Sequence, residues 1–292
     1  MRPSAPPVEV VDPRWLLKAL ALTLGAAAIL GYLSVCLLVY LGGWQLMLHP
    51  SSKIDATPSI PFQSLRFDSA SNGSPRLSAW WIPADAPSPT TPTILYLHDG
   101  AGSLSASTRK LELLHHANVN LFAIDYRGFG QSNPPHPTEA RMAEDSAAAL
   151  EYLTDTRHLP ASTIVPYGEG LAASLAVNLS NAHPELPAFI VDTPDPDAFA
   201  RATDTGRARL LPMRLLVQDH FNIASALASS KKPKLLLADT PFASEPARVR
   251  GNQLLFRTAP DPKISITFAH IDSGDLYLRA ITRFLDEYVP HP

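Results

Sequence analysis

From Ala19 to Ser52 the chain carries no Asp, Glu, Lys or Arg, and its stretch ALALTLGAAAILGYLSVCLLVYLGGW is apolar on every side. That run exceeds the roughly 20 residues needed to cross a hydrocarbon core. It also outlasts the apolar core of a cleaved signal peptide, about 7–15 residues, and Ala26-Ala27-Ala28 lies in its middle rather than at an end. The pattern therefore predicts an uncleaved transmembrane anchor over residues 19–44, with a short segment 1–18 before it and a Pro- and Ser-rich linker at 45–61. Trp15 and Trp44 lie near the two ends, where indoles favour the headgroup level. Cys36 falls inside the span and is expected to behave as a lipid-facing apolar residue. Arg2, Arg14 and Lys18 precede the run, while Lys53 and Arg66 follow it. This excess of one predicts a cytoplasmic N-terminus, with the rest of the chain outside, in the periplasm if the cell is bacterial.

Beyond the linker, over residues 62–292, short apolar runs alternate with helical periodicity. Strands are predicted at Phe62–Phe67, Leu77–Ile82, Thr93–His98, Asn118–Tyr126, Thr163–Tyr167, Phe189–Thr193, Lys234–Asp239 and Ile264–Phe268. Several are nearly unbroken apolar runs, as suits strands buried on both faces of a parallel sheet. Helices are predicted at Ser107–Ala117, Glu139–Thr154, Leu171–Ala182, Ile223–Ser230 and Leu276–Tyr288. Such alternation defines an α/β domain with a mostly parallel central sheet and helices on its faces. Two leading strands without an intervening helix predict an antiparallel start. Residues 194–232 break the alternation with short helical pieces carrying Arg201, Arg207, Arg209 and Arg214. In an open α/β sheet an insertion of this kind hangs over the carboxyl ends of the strands. It reads as a solvated cap or as a lid that steers anions.

Composition removes several function classes. Of 292 residues, 46% are hydrophobic and 17% charged, which supplies a sizeable core and excludes long disorder. A net charge of −3 leaves no basic footprint for nucleic acid. With Cys36 alone there is neither an intrachain disulfide nor a multi-cysteine zinc site. His115 and His116 are adjacent on a helix and project about 100° apart, so they do not chelate one ion together. No cofactor or metal is expected.

The runs LYLHDGAGSLSAS, LFAIDYRGFGQS, PTEARMAEDSAAALEYL and IVPYGEGLAASLA together resemble the α/β-hydrolase superfamily. They are most similar to its membrane-anchored, depalmitoylase-like serine hydrolase branch. The resemblance implies an α/β-hydrolase fold and a Ser-Asp-His triad, yet the family's chemical positions are changed here. The nucleophile elbow, small–x–nucleophile–x–small, corresponds to Gly168-Glu169-Gly170-Leu171-Ala172. Gly170 thus stands in the nucleophile's place with no side chain to attack. Moving the frame to Glu169 would put Leu171 at a small position and crowd the turn. The family's acid falls at Phe242, with Asp239 three residues earlier, and its histidine falls at Ser273, with His270 three residues upstream. The oxyanion loop, normally His-Gly, reads His98-Asp99-Gly100. Turned inward, the Asp99 carboxylate would repel a developing oxyanion; turned outward, it is a polar loop residue.

Two functions follow. One is a membrane-anchored pseudohydrolase, whose vestigial pocket at His98, Asp99, Gly100, Glu169, Gly170, Leu171, Phe242 and Ser273 binds a small molecule or a protein. The other is an atypical hydrolase of ester, thioester or amide bonds that uses Asp239 and His270 to activate water. Its partner in either case is the lipid bilayer, through the N-terminal helix.

Overall fold

The structure, a computed structural model, describes residues 12–68, 76–204, 206, 208–239, 246–268 and 274–289. Its centre is an eight-stranded sheet. The strands are β1 (Gln63–Phe67), β2 (Leu77–Ile82), β3 (Thr93–Leu97), β4 (Asn120–Asp125), β5 (Ile164–Glu169), β6 (Phe189–Asp192), β7 (Lys234–Asp239) and β8 (Lys263–Phe268). They lie side by side in the order β1-β2-β4-β3-β5-β6-β7-β8. β2 runs antiparallel to both β1 and β4, and every later pairing is parallel. All eight predicted strands are present, with ends shifted by no more than two residues, and the antiparallel start lies where the missing helix implied.

Burial explains the unbroken apolar runs. Every residue of β3, β4 and β6 is buried, because helices cover the sheet on both faces. On one face α3 (Glu139–Glu151) and α4 (Ala173–Ala182) set Met142, Leu150 and Leu175 against Leu95, Leu97 and Phe122. On the other, α2 (Thr108–His115) and α9 (Gly274–Tyr288) set Leu111, Leu114, Ile281 and Phe284 against Ile94, Tyr96 and Tyr167. Thr138 caps α3, its hydroxyl accepting from the Arg141 N–H, and a single π-helical stretch, Tyr152–Thr156, ends that helix. A helix over Pro246–Thr258, which we call α8, was not expected. It packs Leu255 and Phe256 on Phe189 and Leu236.

The insertion over 194–232 forms three short helices, α5 (Ala198–Thr203), α6 (Met213–Leu216) and α7 (Ile223–Ser229). The N-terminal apolar run is one helix, α1, over Pro13–Gly42, capped by the Asp12 carboxylate and with no residue buried. It is long and apolar enough to cross a membrane. Cys36 on it is partly exposed. The foot of the apolar run and the start of the segment read as a linker are both stitched to the domain. Val217 packs on Gly43, the Trp44 ring stacks on His136 with centroids 5.0 Å apart, and Met47 and Leu48 are buried. His49–Pro50 then forms a short parallel ladder with Ala101–Gly102.

The turn after β4 is held by charge. Arg127 donates through its backbone N–H (2.8 Å) and Nε (2.6 Å) to the two oxygens of Asp145 on α3, and through Nη2 to Glu144. Both Arg127 and Asp145 side chains are nearly buried, so neither charge survives well alone. Arg127→Ala is therefore expected to destabilise the fold by about 3 kcal/mol. Arg127→Lys should recover less than half of that loss, because an ammonium lacks the planar fork. Denaturant midpoints of the two variants test both statements.

Candidate functional site

β5 ends at Glu169 and the chain turns at once into the 3-10 segment Gly170–Ala172 and then α4. A Cβ on Gly168 would lie 2.4 Å from the Ala172 carbonyl oxygen, so only glycine lets the helix cross this close to the strand. Gly170 has φ +57°, a left-handed backbone that costs a residue with a Cβ about 1–2 kcal/mol. The geometry is a strand–turn–helix elbow, with the Leu171 N–H left free of intrahelical bonding at the start of the helix.

Asp99 takes that N–H. It follows β3 directly and turns inward: its Oδ1 accepts from the Leu171 N–H (2.8 Å) and from the Gly100 N–H (2.7 Å). A Cβ built on Gly170 would lie 2.3 Å from the Asp99 carboxyl carbon. The carboxylate thus fills the space where a side chain at 170 would stand, and one of its oxygens sits on the backbone donors that an elbow aims at an oxyanion. Burial pushes the Asp99 carboxyl up, opposed by those two N–H groups. A cleft of about 380 Å³ ends on this carboxylate. Leu46, Met47, Gly100 and Leu171 wall it, and Ala198 and Arg201 of the cap close its far side. Arg201 is paired there with Asp195.

The neighbouring His98 is buried and turned away. Its Nδ1 lies 2.7 Å from the Asp99 carbonyl, its Nε2 lies 3.6 Å from Asp125, and its ring packs on Tyr126 and Phe129. Ser103 and Ser105 spend their hydroxyls on each other and on the Lys53 carbonyl, and Ser174 donates to the Leu171 carbonyl. None of these hydroxyls is turned to the cleft as a nucleophile. His115 is bound to the Pro83 carbonyl. Among the described residues no group of three His, Cys, Asp or Glu could hold a metal ion.

Glu169 points to the opposite side of the turn, into a polar network. Lys110 from α2 bridges it to Asp192 at the end of β6, with Lys110 Nζ 2.8 Å from the Asp192 carboxylate. Tyr96 donates to Glu169, Tyr167 donates to Asp192, and the Tyr167 and Tyr277 hydroxyls are 2.5 Å apart. Burial alone would push the Asp192 carboxyl up; Lys110 and the hydroxyls of Tyr167 and Thr193 hold it below its ordinary value. Sequence reasoning missed this cluster. Its members come from five elements, and the only hint was an acidic residue closing the apolar run of β6.

Asp239 ends β7 and pairs in register with Phe268, the last residue of β8. His270, Ser273 and Phe242 lie outside the described residues.

The strand order, the elbow and the oxyanion-type loop after β3 define an α/β-hydrolase fold. No family model matches the chain. It is 29% identical over 221 residues to an uncharacterised protein of Mycobacterium tuberculosis, covering 73% of this chain and 75% of that one. It is 24% identical over 242 residues to the alpha/beta hydrolase domain-containing protein WAV2 of Arabidopsis thaliana, covering 74% and 76%. Among solved structures, an esterase of Pyrococcus furiosus superposes with a TM-score of 0.64 at 19% identity, over 84% of this chain and 99% of that one. These likenesses support an α/β-hydrolase fold for this chain.

Two predictions follow from this geometry. Gly170→Ala should cost about 3 kcal/mol or more, from left-handed strain plus the collision with Asp99. In an Asp99→Gly background the same change should cost only the strain, about 1–2 kcal/mol; a double-mutant cycle by urea unfolding reads the coupling. Lys110→Met should cost about 3–5 kcal/mol near pH 7, because it leaves Asp192 and Glu169 together without their cation. The depressed Asp192 carboxyl contributes stability that is present above the ordinary carboxylate range and lost as pH falls through its folded-state value. In the variant burial raises the Asp192 carboxyl without Lys110 to oppose it, so the gap to wild type should narrow as pH is lowered from 7 toward 4.

Proposed function

We propose that this protein is a membrane-anchored pseudohydrolase that binds a small molecule or a protein segment in the cleft over the elbow without cleaving it. One observation carries the reading. The carboxylate of Asp99 occupies the seat of a nucleophile's side chain and consumes the Leu171 N–H that would stabilise an oxyanion. An acyl carbonyl entering the cleft meets a negative group where negative charge would have to develop, which raises the barrier instead of lowering it. Gly170 supplies no attacking atom. The intact fold, the cap and the remaining cleft still provide a concave, partly apolar surface for a ligand. The apolar helix α1 anchors the domain to a bilayer, and the charge excess before it supports a cytoplasmic N-terminus with the domain outside. The resemblance to the depalmitoylase-like branch favours an acylated ligand.

The alternative, water activated by an Asp239–His270 pair, draws support from the in-register pairing of Asp239 with Phe268, which precedes His270 by two residues in the sequence. The two readings separate in one assay. Full-length protein in detergent is offered p-nitrophenyl esters from acetate to palmitate, with His270→Ala alongside. Equal background rates for both proteins are expected. Gly170→Ser alone should also remain inert and should not be labelled by a fluorophosphonate, because Asp99 occupies the seat of the new hydroxyl. Turnover at least tenfold above background that disappears in His270→Ala would overturn the pseudohydrolase reading.

A further inference from the structure

Outside α1, the two most exposed large apolar side chains among the described residues are Leu210 and Leu215, each 78% exposed, and they lie five residues apart in the cap. Both flank α6. This stretch does not face open water on its own: it lies along α1. The Tyr32 hydroxyl of α1 donates to the Leu210 carbonyl at 3.3 Å, and Val217 just beyond α6 packs on Gly43 at the helix foot.

The position of Tyr32 decides what surrounds the cap. Tyr32 precedes Gly42 by ten residues, about 15 Å along the axis at 1.5 Å per residue. Between them α1 presents Leu33, Leu37, Leu38 and Leu41, all more than half exposed. These leucines need lipid, so the hydrocarbon must extend to the last turn of α1. The same register suits the aromatic ends, since Trp15 and Trp44 are about 44 Å apart along the axis, close to the full thickness of a bilayer with its headgroup zones. A cap segment touching Tyr32 then lies below the headgroups.

Much of the segment's backbone is paired within the protein. In lipid every N–H and C=O must find a partner inside the protein. Here Leu211 N–H donates to Ala208, Met213 to Leu211, Leu215 and Leu216 to Pro212, and Val217 to Met213. Pro212 has no N–H to lose. The Leu210 carbonyl, which no helix turn serves, is the one that Tyr32 takes. Arg209, next to Leu210, is paired with Asp204 at 3.1 Å, which offsets its charge beside the apolar residues.

We infer that the cap stretch Ala208–Val217 is a second membrane contact: it inserts Leu210 and Leu215 beside α1 into the leaflet on the domain's side. This inference rests on the reading of α1 as the membrane anchor. It goes beyond that reading in making the cap itself a lipid-binding surface. The cleft that ends on Asp99 is walled by the same two pieces, Leu46 and Met47 at the anchor's foot and Ala198 and Arg201 of the cap. Seating the cap therefore puts the walls of that cleft at the lipid surface.

The test uses the full chain with Cys36→Ala, reconstituted in nanodiscs of phosphatidylcholine and phosphatidylglycerol at 3:1. Single cysteines at Leu215, at Leu30 on α1 and at Leu254 on α8 are labelled with a bimane. All three native side chains are exposed, so the substitutions leave the fold intact. Each sample is compared with a matched one containing brominated phosphatidylcholine. Bromolipid is expected to quench Leu215→Cys and Leu30→Cys at least twofold and to leave Leu254→Cys unchanged. Quenching at Leu30 without quenching at Leu215 would overturn the membrane-seated cap and leave the anchor in place. Absence of quenching at both would overturn the anchor and, with it, this inference.

Discussion

Two backbone N–H groups, those of Leu171 and Gly100, converge on one oxygen of Asp99, and the arrangement of the elbow follows from where that oxygen sits. The carboxylate lies within 2.3 Å of any Cβ that residue 170 could carry, so the residue at the turn has to be glycine. Glycine in turn tolerates φ +57° at little cost, and the helix can start in register with the strand. The interaction is charge-assisted and offsets part of the cost of burying the carboxyl. Asp99 and Gly170 therefore form one structural unit, and neither can change independently of the other.

The opposite side of the same turn is held by another set of charges. Glu169, between the two elbow glycines, joins Lys110 and Asp192, and three tyrosines supply hydroxyls around them. With two carboxylates and one ammonium, the cluster carries an excess negative charge. Hydrogen bonds to the carboxylates offset part of its burial. The turn is consequently clamped from both faces: by Asp99 beneath the cleft and by Lys110 behind it.

Helix α1 is tied into the domain at its foot rather than joined to it by a free tether. Gly43 against Val217, Trp44 on His136 and the ladder from His49 to Ala101 tie the foot of α1 to the cap, to the loop before α3 and to the Asp99 loop respectively. The chain thus passes from the apolar helix to the floor of the cleft within a few residues. Burying Met47 and Leu48 stabilises that path by about 1.5–3 kcal/mol for each side chain.

Much of the architecture was legible in the chain. Unbroken apolar runs identified eight strands, and 3.6-residue periodicity identified the helices that cover both faces, because burial acts on each element separately and leaves its period in the sequence. Helix α8 escaped notice since Arg248, Arg250 and Gly251 interrupt its apolar face. Gly251 is set by the close approach of Pro196 and Asp197 from the cap, a tertiary reason with no local trace. The glycine at the elbow's central position, Gly170, was readable too, since the elbow's spacing is local. By itself, the sequence determined the fold class, the apolar helix and the glycine at the elbow. Only the tertiary structure decided which way Asp99 turns, the partners of Glu169, and the contact between the cap and α1. Each of those depends on residues brought together from distant positions, and their mutual distances, not their identities, set the energy.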